Sequence, residues 1–150
     1  MNKLTPTLIV LSIALALGAC KKQESPEETN QDVAQAQSEA ASNVSAAASE
    51  AAATTAEAQQ DVQEAAASGA QDVAKAESGA IKDEADANYD VAIAKADGDL
   101  KVAKEACDGK PVGDQKACND AAESTYDAAK AQAASDRDAA KAQAAKVKPQ

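Results

Sequence analysis

Three side chains in this 150-residue sequence stand out as reagents: the thiols of Cys20, Cys107 and Cys118. A thiol can be acylated or alkylated, oxidised to a disulfide, or bound to a soft metal once deprotonated. The groups that would make catalysts of them are missing. There is no His, hence no imidazole base. The Ser hydroxyls lack partners, and the carboxylates are scattered along polar stretches instead of gathered around one point. No catalytic residue, no metal site and no cofactor is expected, and the chain is read as a non-enzyme. The second and third thiols frame the stretch Cys107-Asp-Gly-Lys-Pro-Val-Gly-Asp-Gln-Lys-Ala-Cys118. They stand too far apart for a redox pair, and a metal would need more ligands. Gly109, Pro111 and Gly113 stop a helix between them, and Asp114 suits the N-cap of the next one. In an oxidising compartment this predicts two antiparallel helices closed by a Cys107–Cys118 disulfide, with two free thiols as the alternative. Such a bridge is worth about 3 kcal/mol on the chain-entropy argument.

Cys20 sits in different surroundings. Lys3 is followed by an apolar run from Leu4 to Leu17, interrupted by Thr5, Pro6, Thr7 and Ser12. That is the length of a signal-peptide core and falls short of the ~20 residues a spanning helix needs. Gly18 and Ala19 are small enough to enter a peptidase site in extended form. The sequence Leu17-Gly18-Ala19-Cys20 resembles the bacterial lipobox. The resemblance implies a diacylglyceryl thioether on Cys20, cleavage before it, and acylation of the new N-terminus. Several acyl chains, palmitate or similar, at ~0.8 kcal/mol per buried methylene make a durable anchor. The competing readings are an ordinary secretory signal with an incidental Cys and an uncleaved anchor helix. Lys21 stands where lipoproteins of the inner membrane carry Asp. By the same resemblance the lipid belongs in the outer membrane of the cell envelope, with the protein facing the periplasm.

These residues must be positioned by helices. Phe and Trp are absent, Tyr89 and Tyr126 are the only aromatic residues, and more than a quarter of the chain is Ala. Alanine buries little area, so the side chains cannot fill an ordinary globular core. Ala with Glu, Lys, Gln and Asp favours long helices instead. The expected fold class is all-α and non-globular: a long Ala-rich helix plus a disulfide-closed helical hairpin behind a disordered N-terminal tether. Net charge is −10, and −11 once Lys3 leaves with the signal. An acidic chain repels phosphate, so nucleic acid is not an expected partner.

Residues 1–19 are read as the lipoprotein signal and 20–31 as the lipidated Cys and a polar, flexible tether containing Pro26. From Gln31 to about Cys107 the pattern is helical. Val33, Val44, Val62, Val73, Val91 and Val102 follow one another at steps of 11, 18, 11, 18 and 11. At about 100° per residue each step returns to nearly the same face. Gln31-Asp32-Val33, Gln60-Asp61-Val62 and Tyr89-Asp90-Val91 open successive copies of a 29-residue unit. That period is about 3.6 residues per turn, which predicts a straight or faintly right-handed helix. The valines form a shallow seam with Ala around it, able to pack on a partner helix; retention of the spacing by simple duplication is the bland alternative. Gly69, Gly79 and Gly98 are soft points at about 1 kcal/mol each against Ala.

Charge divides the run. Between Gln23 and Ala74 there are ten acidic residues and no basic one; from Lys75 onward 12 basic residues mix with 15 acidic. Residues 32–80 are therefore read as an acidic Ala-rich helix or stalk and 81–148 as the disulfide-linked hairpin. Asp97 with Lys101 and Asp127 with Lys130 are spaced for ion pairs along one helix. The last arm repeats at 11 residues: Tyr126-Asp-Ala-Ala-Lys-Ala-Gln-Ala-Ala-Ser-Asp136 precedes Arg137-Asp-Ala-Ala-Lys-Ala-Gln-Ala-Ala-Lys-Val147. Folded back, this arm sets Tyr126 near Leu100 and Val102. It is too short to reach residues 31–80, which are left without a partner inside the chain.

The stretch Tyr89 to Tyr126, with its Cys-x10-Cys between Ala/Lys-rich arms, resembles small alanine-rich envelope proteins described as TolA-like. The lipobox followed by an Ala-seamed helix is similar to murein lipoproteins. Those end in a Lys joined to peptidoglycan; this chain ends Lys146-Val-Lys148-Pro-Gln150, so only non-covalent contact with peptidoglycan is expected. The 11-residue repeats resemble late-embryogenesis-abundant stress proteins. Three functions follow as expectations: a structural or spacer lipoprotein acting through helix association, a stress protectant, or a hairpin module that binds another envelope protein. The expected partners are the membrane, through the lipid, and either further copies of the chain or an envelope protein.

Overall fold

The computed structural model describes residues 23–148, and among these the chain is all-helical, with no strand. Helix α1 spans Pro26–Ala66, α2 spans Ala70–Asp108 and α3 spans Val112–Ala144. Helix α1 begins five residues before the expected start at Gln31. The cause is local: Ser25 accepts from the Glu28 N–H at 3.3 Å, and the Glu28 carboxylate accepts from the Ser25 N–H at 3.0 Å. Pro26 occupies the first helical position, where its missing N–H costs nothing. The polar composition of residues 23–30 hid a capping box, so the expected tether is helix from Pro26 on.

The expected continuous helix over 31–107 is broken. Ala67, Ser68 and Gly69 form a tight reversal, with Gly69 at φ 129°, a conformation open to Gly and costly for other residues. Of the three soft points, only Gly69 interrupts the helix; Gly79 and Gly98 remain inside α2. The second reversal is Gly109-Lys110-Pro111, as the sequence requires.

Helix α1 packs along α2, and α2 along α3, while α1 and α3 make no direct packing. The three helices thus lie side by side with α2 in the middle. This corrects the expectation that residues 31–80 lack a partner within the chain. Reversal at Gly69 folds the first half of the valine stripe onto the second. Because all six valines lie on one face of the unbroken pattern, folding it back turns both halves inward.

Burial follows an 11-residue rhythm. Ala74, Ala85, Ala96 and Cys107 are buried on α2, Ala133 and Ala144 on α3, and Ala36 and Ala58 at double that spacing on α1. Eleven residues make three turns at about 3.67 per turn, so one row of side chains stays on the neighbour along the whole helix. The six valines are half-buried beside these rows. Since alanine projects only a methyl group, the helices pack closely and the core stays thin.

Candidate functional site

The chemistry the chain carries converges at the end where α2 turns into α3. Cys107 and Cys118 are joined there in a disulfide, with their Cα atoms 5.6 Å apart. Gln115, 3% exposed, donates from Nε2 to the Asp108 and Lys110 carbonyls at 3.0 and 3.1 Å. One side chain thereby satisfies two carbonyls left over at the end of α2. Nothing in the sequence pattern had marked Gln115. The expected N-cap, Asp114, lies inside the first turn of α3; Pro111 holds the cap position and no side chain caps it. Asp114 still places its charge at the positive end of the helix.

The start of the described chain is fastened to this turn. The Glu24 N–H donates to the Asp108 carbonyl and Gln23 Nε2 to the Gly109 carbonyl, each at 3.4 Å. Thr29 lies against Gly109. Residues far apart in sequence thus form a single knot. Its electrostatics are unfavourable at one point. Burial, and then the negative charges of Asp32, Asp108 and Glu24, push the Glu105 carboxyl above its ordinary range.

Beside the disulfide, between α2 and α3, lies a cleft of about 380 Å³. Leu100, the two bridged cysteines, Tyr126 and a set of alanines line it, with Asp99 and Thr125 among the few polar residues. The expected meeting of Tyr126 and Leu100 occurs here; Val102 does not line the cleft. Asp97 and desolvation push the Tyr126 phenol above its ordinary range, and Lys130 Nζ sits 4.8 Å from the ring centroid. Further along the seam Lys104 pairs with Glu123 at 2.8 Å and Lys141 with Asp86 at 2.6 Å. Arg137 lies 4.6 Å from the Tyr89 centroid. Chemically, the cleft offers burial to an apolar group and little else.

The α1–α2 seam is built differently. Glu39 forms an ion pair with Lys101, and this, with help from Gln35, holds the Glu39 carboxyl below its usual range. Lys101 and Lys130 thus serve Glu39 and Tyr126, where the sequence suggested Asp97 and Asp127. One turn away Gly98 meets Ala40 so closely that a methyl group on Gly98 would fall 2.6 Å from the Ala40 Cβ. These two contacts fix α1 antiparallel on α2. Val33, Val44 and Val62 lie on α1 and Val73, Val91 and Val102 on α2, all half-buried. Sequence reading took Gly98 for a weak point; it is a place where α2 lies tightly against α1.

Leu17, Gly18, Ala19 and Cys20 lie outside the described residues. Among the described residues no helix is long and apolar enough to cross a membrane, and no cluster of three or more candidate ligands could hold a metal ion. No protein-family model, curated protein or solved structure gives a significant match to this chain.

Proposed function

We propose that this chain is a lipid-anchored structural or spacer lipoprotein of the bacterial cell envelope, working by helix–helix association and without catalysis. The observation that carries the reading is the box Leu17-Gly18-Ala19-Cys20 at the end of a short apolar run. The disulfide supports it, because such bridges persist in oxidising compartments. Helices of 41, 39 and 33 residues support a spacer, since α1 alone is about 60 Å long. In this reading the α2–α3 pair is the disulfide-closed hairpin of a narrow rod standing in the periplasm, with the lipid in the outer membrane. The small-residue seams allow further helices to pack beside it.

Metabolic labelling with palmitate tests the anchor. The wild type is expected to take up label and fractionate with membranes, whereas Cys20→Ser does neither. Label retained by Cys20→Ser, or an intact Met1 in the mature protein, refutes the reading. Sedimentation of the soluble form from residue 21 tests association, which should appear as a helical oligomer. A second reading, a module that binds another envelope protein, is favoured by the apolar cleft at Leu100 and Tyr126. A helical monomer retaining a partner from envelope extract, and releasing it on Leu100→Glu, would favour that reading.

A further inference from the structure

Five features of the knot at the α2–α3 turn bear on how the molecule stands. Gln23 and Glu24 bond to the carbonyls of Gly109 and Asp108. The chain preceding Gln23 therefore departs from the turn and from no other part of the array. Cys20 lies three residues before Gln23, and three residues reach at most ~11 Å. Val112, 54% exposed, is the one large apolar side chain that stands open among the described residues. It sits on the same turn, flanked by exposed Lys110 and Pro111, with Lys21 and Lys22 in the intervening chain.

We propose that the segment Lys110–Val112 rests on the phospholipid headgroups of the membrane that holds the acyl chains, so that the array stands with its disulfide down. The proposal rests on the lipoprotein reading and adds a direction to it. A lipid held within ~11 Å of Gln23, which is itself hydrogen-bonded to Gly109, keeps the turn beside the membrane. Val112 and Lys110 suit that boundary: the valine enters the interface and the Lys110 ammonium lies among the phosphates, working against the negative charge of Asp108, Asp114 and Glu24 at the same end. The Gly69 reversal then lies one α1 length away, about 60 Å from the surface. The end of α3, where the Ala144 carbonyl accepts from the Ser78 hydroxyl, lies at that far end too. The surface offered to the rest of the envelope is thus the α1–α2 tip and the free faces of the helices.

The chain has no Trp, so a single introduced indole reports its own depth. Val112→Trp and, separately, Ser68→Trp are made in the full-length precursor, and the mature protein is purified from membranes. Each is placed in vesicles of phosphatidylethanolamine and phosphatidylglycerol doped with headgroup-nitroxide lipid. Lys110→Trp serves as a second reporter should Val112→Trp disturb the turn. The expected result is strong quenching and a blue-shifted emission at positions 112 and 110, with Ser68→Trp unaffected. Equal quenching at both ends, or quenching at position 68 alone, overturns the orientation. Mass spectrometry of the same samples separates the two claims. Acylated Cys20 with the wrong quenching pattern sinks this proposal only, and Cys20 without lipid sinks both.

Discussion

A single methyl group has opposite consequences at two glycines of α2. At Gly79 an added Cβ meets nothing within 4 Å. Gly79→Ala should therefore recover helix propensity and stabilise the protein by about 0.5–1 kcal/mol. At Gly98 the same atom would lie 2.6 Å from the Ala40 Cβ and 3.2 Å from its Cα, part of the backbone of α1. The helices must separate there, at a cost of about 1–3 kcal/mol that outweighs the propensity gain. Thermal unfolding followed by circular dichroism should show the two midpoints moving in opposite directions; a rise in both would mean that the α1–α2 contact is not formed in solution. Glu105 offers a second test. Its folded carboxyl is raised by burial and by Asp32, Asp108 and Glu24, so its charge destabilises the fold at pH values above that raised range. The burden is relieved as pH falls through it, because the folded state then takes up the proton. Glu105→Gln should raise the melting midpoint by about 1–2 °C at pH 7. The difference should vanish near pH 3, where wild type is protonated as well. An unchanged gap at low pH would show that the effect comes from shape and not charge.

Among elements, α3 depends most on a covalent tie. It packs on α2 alone, across alanines, and Cys107–Cys118 fastens it at one end. Replacing both cysteines by Ser should cost about 3 kcal/mol. Amide exchange should rise most in residues 112–144, and dithiothreitol should reproduce this in the wild type. Exchange spread evenly over all three helices would mean that the array melts as one unit and the bridge is not specific to α3. The position of this bridge was legible from Gly109, Pro111 and Gly113 between two thiols. The α1–α2 reversal was only half legible. Gly69, Gly79 and Gly98 carry the same composition signal, yet Gly69 alone has positive φ and Gly98 alone has a neighbour pressed onto it. Propensity treats the three alike, because what separates them is the position of α1. Gln115 escaped for a related reason: an exposed-type residue becomes buried only when two carbonyls at the end of α2 come within its reach.

For the whole molecule the dominant long-range term is charge. With a net charge of −10 and no basic residue between Gln23 and Ala74, α1 is repelled by the acidic groups of α2. Glu39–Lys101 is the ion pair joining them among the described residues, and it is exposed. Raising sodium chloride from about 10 mM to about 0.5 M shortens the Debye length to a few ångströms and should raise the melting midpoint. A midpoint that falls instead would show that the cross-helix ion pairs outweigh the repulsion. Helicity, the 11-residue repeat of the last arm and the bridging cysteines were determined by the sequence alone. All three rest on interactions between residues close along the chain or on plain periodicity. Which glycine bends, which residues meet across the α1–α2 seam, and where Gln23 and Glu24 are fastened were decided by tertiary structure. Those outcomes depend on how near one helix can approach another. With cores made of methyl groups, that distance is fixed by contacts between residues many turns apart, such as Gly98 with Ala40 and Gln23 with Gly109.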